Sequence, residues 1–346
     1  MVDEKTRTSR RKFLAASGSL SAAALAGCSG GGGGGGSGSG SGSAGRTLRQ
    51  GYLLPLTGEL GSLGTAMRDA VMMTTAQVQD ADIEISVETQ EEDTQTEVPA
   101  AIDGANALVN SDFPMMVGSA TSNIEIGNRV FVPNGMLACS PSNTLPTLST
   151  FDDDDLFFRT TPGDQYQGFA MAQAAGERLD NIETVATTYI NDDYGQLLSQ
   201  WFTKHFEQGY GGTVQEQVVH DPVQSSYSSK LQTALSGDPD LLVVITYPQS
   251  GVQMFNDYYA EFDTDRPIML TDGAKDPTLP QKVGNSMEAV VGTMPAAAGP
   301  NYDSFTTAYE EEYGNSAIAF TAQTYDSSAI TLLANAAAGE NTGSAI

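Results

Sequence analysis

From residue 46 onward, short apolar runs alternate with longer amphipathic stretches. The pattern predicts a first strand over 46–54, ending Gly51-Tyr52-Leu53-Leu54-Pro55-Leu56. A helix over 65–80 follows, with small or apolar positions at Ala66, Ala70, Met73 and Val78. A strand over 83–88 and a helix over 100–110 complete the first repeats. Farther on, helices are predicted over 167–179, 196–206, 227–235 and 252–262. Strands over 184–189, 214–219, 241–245 and 268–270 separate them. Segment 290–294 leads back toward the first half, and helices close the chain over 302–313 and 321–338. Alternation this regular gives an α/β fold with a parallel sheet in each half, flanked by helices.

One stretch, 114–145, organises the rest. Two apolar runs each break into small hydroxyl residues: Val117-Gly118-Ser119-Ala120-Thr121-Ser122, and Ala138-Cys139-Ser140-Pro141-Ser142-Asn143-Thr144. Such an ending fits buried parallel strands whose carboxyl ends open onto a crevice. Hydroxyls and free amides there suit a carboxylate. Ser, Thr and Asn also cap helices, so one cluster alone reads first as a cap. Two clusters, one helix apart, point to a binding crevice. Ser119 and Ser140 read as turn and capping residues.

The first 45 residues do not read as fold. Ser9-Arg10-Arg11-Lys12-Phe13-Leu14, a short apolar run and Leu25-Ala26-Gly27-Cys28 read as a twin-arginine export signal. The last four residues resemble a lipobox, with cleavage before Cys28 and lipid on its sulfur. Residues 29–45 are a Gly/Ser tether. Two acyl chains anchor firmly where one does not. The expected location is therefore the outer face of the cell membrane. Removing residues 1–27, with five basic and two acidic residues, takes the formal charge from −27 to −30. Four lysines remain. Phosphate binding needs clustered cations, so nucleic acid is excluded as a partner. Salt screens such self-repulsion, which points to a halophilic, haloarchaeal-type surface protein.

Cys139 is the only cysteine after Cys28, which excludes a disulfide framework and a cysteine-based metal site. His205 and His220 are the only histidines, and Gly-x-Ser-x-Gly is absent. A hydrolase is thus disfavoured, and neither metal nor cofactor is expected. The glycine-punctuated loop 57–64 lacks the P-loop Lys and the Gly-x-Gly-x-x-Gly spacing. It reads equally as a ligand wall or a plain turn. The acids of Glu91-Glu92-Asp93 through Glu97 are expected to lead a helix, where they suit its dipole. Asp152 to Asp155 read as a solvated loop. Trp201, Phe202 and Phe206 read as core, and Cys139 as a small buried hydrophobe.

Together the motifs Pro-Leu-Thr-Gly at 55–58, Glu-Asp-Thr-Gln-Thr-Glu-x-Pro at 92–99, Val-Gly-Ser-Ala-Thr-Ser, Ser-Pro-Ser-Asn-Thr and Phe-Arg-Thr-Thr-Pro at 158–162 carry a resemblance over about 46–335. The chain resembles the type I periplasmic solute-binding proteins of the leucine/isoleucine/valine class. That resemblance implies two lobes with a hinge between: 46–163 as lobe 1, 164–294 as lobe 2 and 295–346 returning to lobe 1. Family members usually continue beyond this point, so the chain reads as truncated. It also implies a monomer that closes over a small amino acid and delivers it to an ABC permease driven by an ATPase, with no reaction catalysed. Thr121, Ser122, Ser142 and Thr144 match the positions that clamp the ligand's carboxylate. Asp272 matches the acid that pairs with its ammonium. Tyr194 and Tyr247 close over it, and Leu63 touches its side chain. Urea, a short amide or another small carboxylate, taken up or sensed, is the alternative on the same fold.

Overall fold

Strands with unbroken apolar runs sit inside their sheets, because only a strand covered on both faces hides both rows of side chains. A computed structural model describes residues 45–121, 123–262 and 265–346. Strands β1 (Arg46–Leu54), β2 (Ile85–Asp93), β3 (Met115–Gly118), β4 (Leu137–Ser140) and β5 (Phe157–Arg159) form one sheet, in the order β2-β1-β3-β4-β5. Strands β6 (Thr184–Ile190), β7 (Thr213–His220), β8 (Leu241–Ile245), β9 (Ile268–Thr271) and β10 (Val290–Thr293) form the other, in the order β10-β9-β8-β6-β7. Every strand pair is parallel. The runs of β3, β4 and β8 are buried along their whole length.

Helices cover both sheets. They are α1 (Gly61–Asp80), α2 (Val98–Asn110), α3 (Asn123–Ile126), α4 (Asp164–Gln173), α5 (Asp193–Tyr210), α6 (Ser228–Ala234), α7 (Pro248–Glu261), α8 (Leu279–Val283), α9 (Tyr302–Tyr313) and α10 (Thr321–Ala338). The chain leaves the first sheet after β5 and the second after β10. Helix α10 then packs on α1 and on β1, β3 and β4. A buried polar contact fixes that docking: Gln50 of β1 donates to the Thr331 hydroxyl at 2.7 Å and accepts from Ser328 at 2.8 Å.

The differences from expectation have local causes. β2 runs on to Asp93 and takes in the acids expected to lead a helix, because Glu91, Glu92 and Asp93 pair with Tyr52, Leu53 and Leu54. Asp93 then accepts from the amides of Leu56, Thr57 and Gln95 and from the Thr57 hydroxyl. Burial opposes its ionisation, but these bonds outweigh it and hold the carboxyl below its usual range. Segment 290–293 does not lead away; it pairs with β9 as an edge of the second sheet. Trp201 is half-buried, stacked on His205 with the Lys204 ammonium 4.5 Å from its ring, while Phe202 and Phe206 take the core. Helix α5 starts three residues early because Asp192 caps it, accepting from the Gly195 amide at 2.8 Å. Cys139 is buried, and burial pushes its thiol up to about 11. Asp152, Asp154 and Asp155 are exposed in the loop before β5.

His220, at the end of β7, is buried between the hydroxyls of Thr188 and Thr246, each 3.0 Å from a ring nitrogen. Burial pushes its imidazole down to about 4. The unfolded chain takes up this proton near pH 6.5 and the folded chain only near 4. Its contribution is therefore complete above pH 6.5 and drains away as pH falls toward 4, by on the order of 3 kcal/mol. Denaturant titrations should show that His220→Gln flattens this part of the pH–stability curve. An unchanged slope would remove His220 as its source.

Candidate functional site

A parallel sheet puts all its strand carboxyl ends at one edge, and the loops there carry the polar groups. In this chain the carboxyl-end loops of both sheets meet around a cavity of about 510 Å³. The loop after β1 supplies Glu59 and Leu60, and Leu63, expected in that loop, comes instead from the first turn of α1. The loop lies close because α1 carries Gly64, where a Cβ would stand 1.9 Å from the Pro55 carbonyl oxygen. The second lobe repeats the device at Gly195, whose Cβ would meet the Ile190 carbonyl at 2.2 Å. Each glycine lets a helix start directly against its strand end.

Thr121 follows β3, and Ser142, Asn143 and Thr144 follow β4; all four line the cavity. The Ser140 hydroxyl accepts from the Asn143 amide at 2.9 Å, so it holds the turn, as read from the sequence. The Ser142 hydroxyl and the Asn143 side-chain amide nitrogen are buried without a protein partner. Two hydrogen-bonding groups thus stay uncommitted at this wall, a costly arrangement without a ligand or water to meet them.

The facing wall comes from lobe 2. Tyr194 follows β6 and Tyr247 follows β8; their rings stack with centroids 5.8 Å apart. Tyr194 donates to the Thr271 hydroxyl at 2.9 Å, and Tyr247 donates to Asp192 at 2.7 Å. Asp272, after β9, accepts from the Gln167 side-chain amide. Burial pushes the Asp272 carboxyl up to about 6, with bonds from Gln167 and Tyr194 pulling it back. Burial also raises Asp192 and holds both phenols neutral. Phe320, at φ +66° just before α10, contributes a ring from the returning segment.

Leu63, Thr121, Ser142, Thr144, Tyr194, Tyr247 and Asp272, all singled out from the sequence, converge on this cavity. Ser122 and Cys28 lie outside the described residues. Sequence reasoning passed over Glu59, Asn143, Asp192 and Phe320 as site residues. Asp192 had a signal, since Asn191-Asp192-Asp193-Tyr194-Gly195 reads as a helix cap at a strand end. Phe320 had none. Among the described residues, no Lys, Arg or His lines the cavity. An anionic group held here must rely on neutral donors, while the lobe 2 wall favours a cation. No group of three His, Cys, Asp or Glu is placed to hold a metal ion among the described residues.

One clasp joins the lobes beside the cavity. The Glu59 carboxylate accepts from the Ser250 amide at 3.1 Å and from its hydroxyl at 2.9 Å, near the start of α7. Gln249 donates to the Gly58 carbonyl at 2.8 Å. Hydrogen bonds to a charged group contribute about 1.5–3 kcal/mol each. Glu59→Ala should therefore raise the open-to-closed ratio by on the order of tenfold or more. Small-angle scattering of the ligand-free protein would report this as a larger radius of gyration. Unchanged scattering in a population already partly open would remove the clasp from closure.

A family model described as periplasmic binding protein matches residues 47–346. The chain is 25% identical over 218 residues to the chemotactic signal transduction system substrate-binding protein BasB of Halobacterium salinarum, a match covering 60% of this chain and 52% of that one. It thus spans about half the length of that relative. Its fold is similar to the leucine-binding protein LivK of Thermotoga maritima, with TM-score 0.77 and 24% identity over 86% of this chain and 85% of the other. It is also similar to a solute-binding protein of Rhodopseudomonas palustris in complex with 3,4-dihydroxybenzoic acid, with TM-score 0.73 and 18% identity over 86% and 83%. Two parallel five-stranded sheets around a shared cleft, with the family match along nearly all the described residues, make this chain a member of the periplasmic binding protein family, with the two-lobed type I fold.

Proposed function

We propose that this protein is the extracellular binding component of an ABC importer and takes a small α-amino acid, of branched-chain type, into the cleft. The observation that carries the reading is the pairing of unlike walls. Uncommitted hydroxyl and amide groups after β4 face a buried acid, Asp272, across a cavity that no cationic side chain among the described residues lines. In this reading Thr121, Ser122, Ser142 and Thr144 receive the carboxylate and Asp272 receives the ammonium. Tyr194 and Tyr247 form the roof. Leu63, with Leu60, Met67 and Leu145, supplies an apolar wall for the side chain. The protein catalyses no reaction; it closes, and a permease reads the closed form. Delivery to a chemosensory partner is a second reading, favoured by the likeness to BasB, and it uses the same cleft.

Calorimetry in molar salt against leucine, isoleucine, valine, alanine, glutamate, urea and benzoate tests the ligand class. Branched-chain amino acids should bind tightest. Tight binding of urea or benzoate with no amino acid bound would sink the proposal. Asp272→Asn should weaken amino acid binding by about 100-fold, the cost of stranding one partner of a buried charge pair. Affinity within twofold of the parent would take Asp272 out of the site.

Export by the twin-arginine route and lipid attachment at Cys28 complete the proposal. Cys28→Ser should release the protein from membranes into the medium in cell fractionation. Retention in the membrane fraction would contradict a lipid anchor at this residue.

A further inference from the structure

Asp164 opens α4, where the chain passes from lobe 1 to lobe 2. It is fully buried, and its amide donates to the Thr144 carbonyl at 2.8 Å. That bond ties the crossing to the hydroxyl wall of the cleft. Neither carboxyl oxygen has a hydrogen bond of good geometry. The Thr144 hydroxyl interacts with the carboxyl and favours its ionised form, but burial outweighs it.

The charged surroundings come from three elements. Asp272 and Asp192 face Asp164 from lobe 2, and both oppose its ionisation. Arg159, at the end of β5, is the one cation acting on it. That guanidinium is committed to the Leu145 carbonyl at 2.8 Å and the Ser149 hydroxyl at 2.7 Å. The phenols of Tyr194 and Tyr247 also feel the Asp164 charge. Gln167, one turn along α4, spends its amide on Asp272 and Thr293. Thr144 and an already committed Arg159 are what favours an ionised Asp164, and burial with two neighbouring acids outweighs them.

A carboxylic acid at this position has a proton to give, and the neighbouring acceptor is the Thr144 oxygen. A hydroxyl that accepts from a carboxyl keeps its own hydrogen free to donate. An ionised Asp164 would instead draw that hydrogen toward itself and turn Thr144 lone pairs to the cleft. We propose that Asp164 is a positioning residue: in its acid form it donates to Thr144 Oγ1 and so aims the Thr144 hydrogen at a ligand carboxylate. The inference rests on the amino acid reading of the cleft.

The proton count follows. Burial pushes the Asp164 carboxyl up to about 8. A ligand carboxylate that accepts from Thr144 leaves the Thr144 oxygen to accept from Asp164, which stabilises the acid form of Asp164 further. Binding above pH 8 then takes up a proton, and affinity falls as pH rises through that value, by up to about tenfold per pH unit.

Leucine calorimetry on the full chain from pH 6 to 9.5, in buffers of differing ionisation enthalpy, measures both quantities. The parent should show proton uptake and a fall in affinity above pH 8. Asp164→Asn, which keeps a donor toward Thr144, should bind leucine with neither the uptake nor the step. Thr144→Val, which leaves Asp164 in place, should also lose the uptake. The ligand's own ammonium titrates in every protein, so the difference from the parent isolates Asp164. A parent with no uptake, or an Asp164→Asn protein that keeps the parent's step, overturns the relay while the cleft assignment stands. If the parent binds no amino acid even at pH 6, the cleft reading fails and the relay falls with it.

Discussion

Parallel strands cannot be joined by tight turns, so most strands here are followed by a helix that carries the chain back across the sheet, and β4 reaches β5 through a longer loop with a single 3-10 turn over Pro146–Thr150. The return places every strand's carboxyl end on one edge, and with it every loop whose backbone is not used up by the ladder. Two such edges face each other across the cavity. Everything chemical about the molecule follows from that arrangement. Thr121, Ser142 and Thr144 lie on one edge, and Tyr194, Tyr247 and Asp272 on the other, because they are the residues just past β3, β4, β6, β8 and β9. The paired glycines, Gly64 and Gly195, matter for the same reason. They let α1 and α5 start against the strand ends without pushing the walls apart.

The second constraint is dehydration. Asp164, Asp192 and Asp272 sit in or beside a region where charge is poorly solvated, and burial raises all three. Ordinary folding would remove such groups or pair them with cations. Here they are met by phenols, amides and hydroxyls, with Arg159 the one cation that acts on Asp164. A protein keeps unpaired acids inside when something brought from outside completes them, which is the physical content of a binding site. Elsewhere the same residue type behaves differently. Asp93 and Asp276, held by hydroxyls, amides or Lys282, are drawn down rather than up and serve the local fold.

Most of this was legible in the sequence. The strands 46–54 and 241–245 and the last two helices have the bounds that periodicity indicates. The cleft residues could be found because strand ends are visible as apolar runs stopping at polar clusters. Three kinds of feature were hidden. Acids expected at a helix start were claimed by the β1 ladder, since pairing partners distant in sequence override local preference. Segment 290–293 joined the second sheet through a neighbour that its own pattern does not name. Asp164, Glu59 and Phe320 gain their meaning only from groups far away along the chain, and no local pattern marks them.

The uneven division of the apolar lining has a consequence for the order of events. Leu60, Leu63, Met67, Ile124 and Leu145 belong to lobe 1, whereas lobe 2 brings fewer aliphatic groups, Ile190 and Val223, with the tyrosine roof and Asp192, Asp193 and Asp272. In the amino acid reading proposed above, a solute that docks on lobe 1 before closure meets the surface that judges its shape together with the hydroxyls that take its carboxylate. The wall that would judge its ammonium arrives only with closure. Discrimination becomes a two-stage sieve, in which a poor fit can leave before the lobes commit. Shape preference could then drift through changes in α1 and the β4 loop alone, while the hinge and the charge-reading wall stay as they are.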